Sequence, residues 1–94
     1  MTSLFKALAD PTRREILRLL SRGELTAGQI AEKFAMSWPS VSHHLGVLKN
    51  AGLVEVEKKG QYLYYSLNAT VLQELMAYLF ELLNIKEDEK NEKK

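Results

Sequence analysis

The chain has 94 residues, 46% of them hydrophobic and 27% charged, enough for one small domain whose modest core a second copy often completes. It contains no cysteine, which excludes disulfides, thiolate metal sites and thiol-based redox sensing and fits a reducing compartment. The net charge is only +1, yet residues 1–67 hold nine Lys/Arg against six Asp/Glu, residues 68–85 hold two glutamates and no cation, and residues 86–94 carry four of each sign. The basic surplus therefore lies on the first two-thirds, a pattern compatible with an anionic partner. The start "MTSLFKALADPTRRE" reaches charge and a proline before any apolar run long enough for export or for spanning a bilayer, so a soluble cytoplasmic protein is expected.

In chain order, Leu4, Phe5 and Leu8 stand at helical spacing and predict a short first helix. Asp10 as N-cap and Pro11 at the first helical position open a second, with Ile16, Leu17 and Leu20 facing the core and Gly23 beyond its end. Thr26 caps a third, whose apolar face is Ala27, Ile30, Ala31 and Phe34. After two intervening residues Ser37 caps a fourth, over residues 38–50, which stops at Ala51-Gly52. The period then changes from 3.6 to 2: "LVEVEKKGQYLYYSL" alternates, turns at Lys58-Lys59-Gly60-Gln61 and returns, which predicts a two-stranded hairpin with a basic tip. Asn68 or Thr70 caps a last helix, "VLQELMAYLFELLNI", and the charged segment 86–94 is expected to be a disordered tail beyond a domain of residues 1–85.

The adjacent histidines, His43 and His44, raise the question of chemistry. At about 100° per residue, Val41, Leu45 and Leu48 form a narrow buried stripe, with His43 roughly opposite it and His44 roughly 60° from its centre. Neighbouring residues on a helix do not face each other, so the pair cannot chelate one metal as an i, i+4 pair can. No acidic residue within the segment orients either ring and no glycine-rich turn supplies an oxyanion hole, so an enzyme is not expected. A short helix, a tight turn and a second helix with an outward face of small and hydrogen-bonding residues is instead the helix-turn-helix arrangement, in which the second helix enters the major groove of DNA. Trp38, Pro39, Ser40, Ser42 and His43 are the candidates for base edges, although Trp38 and Pro39 are equally placed to pack at the turn. Arg13, Arg14, Lys49, Lys58, Lys59, Gln61 and Tyr62 are the candidates for the sugar–phosphate backbone. His44 is expected to brace the helix from the edge of the core.

Three segments in order, "ALADPTRREILRLL", "LTAGQIAEKFAMSWPSVSHHLGVLKNAGLV" and "KKGQYLYYSL", resemble the ArsR/SmtB-type family of bacterial repressors over roughly residues 4–83. The resemblance implies a mainly α fold with a small β-hairpin, an α+β winged helix-turn-helix of order α-α-α-α-β-β-α. It also implies a homodimer on an inverted-repeat operator of its own or a neighbouring promoter, with the first and last helices at the dimer contact. The residues agree about the dimer. Leu72, Leu75, Met76, Leu79, Phe80, Leu82 and Leu83 make the last helix apolar over more of its circumference than one small domain covers, and Leu4, Phe5 and Leu8 add to that surface.

This chain departs from many members of that family in its sensor positions. Where they carry metal-binding cysteines, it reads Thr26-Ala27-Gly28, and its last helix offers Glu74 and Glu81 but no histidine. No metal and no cofactor are expected. It looks most like the branch of metal-site-less autorepressors of the sporulation-delay type, for which the resemblance implies sequestration by a membrane immunity-type protein. The alternative left open by the small net charge is a winged-helix protein-interaction module that does not bind DNA.

Overall fold

The structure is a computed structural model and describes residues 2–85; the expected disordered tail, 86–94, lies outside the described residues. Among the described residues five helices and three short strands follow one another: α1 (Thr2–Leu8), α2 (Pro11–Leu20), β1 (Leu25–Thr26), α3 (Ala27–Phe34), α4 (Trp38–Asn50), β2 (Val54–Lys59), β3 (Tyr62–Leu67) and α5 (Ala69–Leu82). The caps explain the breaks. Asp10 accepts the Arg13 amide at 3.0 Å ahead of Pro11. Thr26 and Gln29 form a reciprocal capping box at 2.9 and 3.2 Å. Asn68, not Thr70, caps α5, its Oδ1 accepting from the amides of Thr70 and Val71. Each cap satisfies amides that the first turn of a helix leaves without partners.

The sheet is antiparallel, in the order β1-β3-β2, with Val56 opposite Tyr65 and Lys59 opposite Tyr62. Its hairpin loop is only Gly60-Gln61, and Gly60 takes φ 64°, as the first central position of a tight two-residue loop demands. The third strand, β1, was not anticipated: Leu25 pairs with Tyr65 and Thr26 with Tyr64. It ties the entry of α3 to the hairpin, so the wing is anchored to the helix-turn-helix.

The core gathers Ile16, Leu17 and Leu20 of α2, Ile30 of α3, Val41, Leu45 and Leu48 of α4, and Leu53 and Val54 at the start of the hairpin. Leu4 and Ala7 of α1 complete it. Leu4 therefore corrects the expectation that placed it at a dimer contact: at 6% exposure its side chain is spent inside one subunit. The α5 helix contributes no fully buried residue, and only Val71, Leu72 and Leu75 lean on the core. No described helix is long and apolar enough to cross a membrane.

Candidate nucleic-acid interface

Three residues connect α3 to α4. Ala35 closes α3 in the left-handed region at φ 52°, and the Met36 amide returns to Ala31 O at 3.3 Å, so the chain reverses tightly. Ser37 then accepts the Ser40 amide at 3.3 Å and donates to Ser40 Oγ at 3.1 Å. The stripe of Val41, Leu45 and Leu48, each 2% exposed or less, fixes which side of α4 faces inward. Pro39, Ser40, Ser42 and His43 consequently stand exposed on its outer and amino-terminal surface. Gly46 shares that face, and a Cβ built there would meet no atom within 4 Å.

Trp38 is 60% exposed, and its Cζ3 lies 3.9 Å from where a Gly28 Cβ would be. It thus leans along the start of α3 while leaving most of its ring open. Trp38, Gly28, Tyr62 and Leu63 help line an open cleft of about 310 Å³ between the helix-turn-helix and the wing. Aromatic and aliphatic surface on this side continues the polar face of α4 toward the hairpin, with Tyr62 60% and Leu63 48% exposed.

The basic candidates separate into two groups. Lys49, Lys58 and Gln61 are exposed. Lys59, at the wing tip, donates to Glu24 Oε2 at 2.6 Å and lies 5.6 Å from the Tyr64 ring centroid. The hydrogen bond to Glu24 raises the Lys59 ammonium above the ordinary lysine range, and a phosphate would have to compete with that carboxylate. The two candidate arginines, Arg13 and Arg14, turn toward the carboxyl end of α1, where the last carbonyls of a helix lack i+4 partners. Arg13 Nε donates to Ala7 O at 2.8 Å and its Nη2 to Lys6 O at 3.1 Å. Arg14 Nη1 donates to Leu8 O at 2.8 Å, although that side chain stays exposed. Each of the three Arg13 guanidinium nitrogens thus has a partner within the subunit, which makes the residue an internal clasp.

His44 is half-buried, with Nδ1 3.3 Å from Arg13 Nη1. A guanidinium only donates, so this ring nitrogen is the acceptor. The His43 and His44 rings have centroids 5.6 Å apart and tilted by 57°, and among the described residues no cluster of three or more His, Asp or Glu side chains could hold a metal.

A second surface lies across α1 and α5. Phe5, Met76, Leu79 and Leu83 are exposed by 42–66%, and Phe5 meets Tyr78 with ring centroids 6.2 Å apart. Leu8, Leu72 and Leu75 are partly committed to the core, and Phe80 is half-buried. Tyr78 and Ile85 extend this surface and were missed, the first because its hydroxyl reads as polar and the second because it follows the helix end. Glu24 was also missed as a wing anchor; its partner is 35 positions away, beyond any local signal.

Comparison with known proteins places these features. The family model described as "Bacterial regulatory protein, arsR family" matches residues 10–56, which run from the α2 cap into β2. The chain is 52% identical over 84 residues to the transcriptional repressor SdpR of Bacillus subtilis (strain 168), covering 89% of this chain and 93% of that protein. It is 39% identical over 79 residues to an arsenical resistance operon repressor of Staphylococcus aureus, covering 84% of this chain and 76% of that one. Among solved structures, an ArsR-like transcriptional regulator from Rhodococcus sp. RHA1 superposes with a TM-score of 0.78 at 34% identity, covering 88% of this chain and 77% of that one. A homodimeric winged helix-turn-helix DNA-binding domain from Mycobacterium bovis does so with a TM-score of 0.73 at 32% identity, again covering 88% and 77%.

Proposed function

This chain belongs to the arsR family of bacterial regulatory proteins, and from that premise we propose that it is a homodimeric repressor, acting by occupancy of an inverted-repeat operator in its own or a neighbouring promoter and not by catalysis. It is a winged-helix transcriptional regulator. The observation that carries the reading is the division of α4: one stripe is sealed in the core while Pro39, Ser42, His43 and an uncovered Gly46 face outward. Such a face fits the major groove, where hydroxyls and imidazole meet base edges. Ser40, Trp38 and Tyr62 flank it, and Lys49, Lys58, Gln61 and the outer donors of Arg14 are assigned to the phosphates on either side.

Phe5, Met76, Leu79 and Leu83 form the proposed two-fold contact, with Leu8, Leu72, Leu75 and Phe80 behind them. An isologous interface of this kind gives two α4 helices related by a two-fold axis, which matches the symmetry of an inverted repeat. The homodimeric Mycobacterium bovis neighbour supports this arrangement. Cytoplasmic location and release from DNA by a membrane immunity-type protein belong to the same proposal, the second of them drawn from the sequence resemblance. The first test is selection of binders from random duplex DNA at near-physiological salt. Enrichment of an inverted repeat with half-sites about one helical turn apart is expected, and no enrichment by a folded protein contradicts the reading.

A further inference from the structure

Arg13 and His44 stand 31 positions apart in the chain and meet where α1, α2 and α4 converge. The Arg13 head group is a rigid planar fork. Two of its nitrogens close the carboxyl end of α1 on Lys6 O and Ala7 O, and the third approaches His44 Nδ1 on α4. The backbone of the same residue is held as well, since its amide is bonded to the Asp10 cap. One residue therefore connects three helices through directional bonds.

Arg14 Nη1 adds one more bond from α2 to Leu8 O of α1, and the other described contacts of α4 with α1 are apolar. Leu4 and Ala7 pack into the same cluster as Val41, Leu45 and Leu48, and apolar packing is non-directional. It sets the separation of α1 and α4 better than it sets rotation of α4 about its own axis. His44 is the next residue after the outward-facing His43, so a bond that fixes the rotation of α4 at His44 also fixes the side of the helix from which His43 projects.

We propose that the Arg13–His44 contact is a positioning device that locks the angle of α4 against α1 and, in the dimer, determines which spacing of DNA half-sites the protein accepts. The inference rests on the reading of the chain as a dimer on an inverted repeat. In that assembly the path from one recognition helix to the other runs through α1 and the two-fold contact, so any rotation of α4 relative to α1 enters twice. Half-site sequence preference, by contrast, belongs to the outer face of a single α4 and does not depend on this bond.

The test uses the full chain and duplexes carrying the selected repeat, with its spacer unchanged, one base pair longer and one base pair shorter. His44→Leu removes the acceptor, whereas His44→Asn keeps one, its Oδ1 standing in for Nδ1. Arg13→Lys keeps the charge and loses the fork. Urea unfolding of each variant shows which are folded, and Arg13→Lys carries the comparison should His44→Leu fail to fold. Wild type and His44→Asn are expected to bind the altered spacers about tenfold or more below the selected one, and His44→Leu and Arg13→Lys to discriminate by less than about threefold with half-site preference unchanged. Retained discrimination in folded His44→Leu or Arg13→Lys, or its loss in His44→Asn, overturns the proposal. So does a wild type that binds the repeat without regard to spacing, while a wild type that binds no inverted repeat removes the dimeric reading beneath it.

Discussion

At the scale of the residue, Gly46 poses the sharpest question, because a glycine inside a helix costs about 0.5–1 kcal/mol relative to alanine and nothing within the subunit requires one there. Close approach of DNA is the reason the account supplies. Gly46→Ala is expected to raise stability by about 0.5–1 kcal/mol in urea unfolding and to weaken operator binding in a gel-shift titration; unchanged binding places the groove elsewhere. Lys58 is exposed, whereas Lys59 is shared with Glu24. Lys58→Ala should therefore lower affinity on all sequences alike and reduce the slope of log K against log salt by about 1. The two histidines were legible as one outward and one bracing residue, because helical angle alone separates them. Arg13 was not, since a cation five positions beyond a helix end looks the same on paper whether it caps that end or reaches a phosphate.

At the scale of the element, the caps did most of the specifying. Asp10, Thr26 and Ser37 each precede an apolar period and each caps the expected helix, so the boundaries of α2, α3 and α4 could be read directly. β1 could not be, because two residues carry no period and Thr26 already signals a cap. Its pairing depends on β3, some forty residues later in the chain, so only the folded hairpin creates it. The Asp10 carboxyl is held below its ordinary range chiefly by the bond from the Arg13 amide, with the Arg13 charge adding to it. A lowered folded-state value means that the cap contributes fully above the unfolded-state value and is lost as pH falls through the folded one. Asp10→Asn, which still caps but does not titrate, should therefore show a shallower decline of urea midpoint in acid than wild type. An identical acid profile would show that the ionised cap adds nothing.

At the scale of the whole molecule, α5 leaves most of its apolar surface uncovered within one subunit. It carries no fully buried side chain, yet Met76, Tyr78, Leu79, Leu82 and Leu83 stand exposed along it, more apolar surface than a small monomer usually leaves to water. The sequence announced this surplus because the helix is apolar over too much of its circumference; which of its residues remain outside depended on how α5 lies on the core, and periodicity does not state that. Met76→Glu combined with Leu79→Glu places charges on both sides of the proposed two-fold contact. Sedimentation is expected to give a folded monomer for that variant and a dimer for wild type, and a variant that remains dimeric places the contact on another surface.

The central claim is that two copies read one inverted repeat, and the most direct measurement is the mass of the protein–DNA complex on the selected duplex, by sedimentation or light scattering. Two chains per duplex, with a half-site duplex bound far more weakly, is the predicted result. One chain per duplex at full affinity, or no complex with a folded dimer, would contradict it.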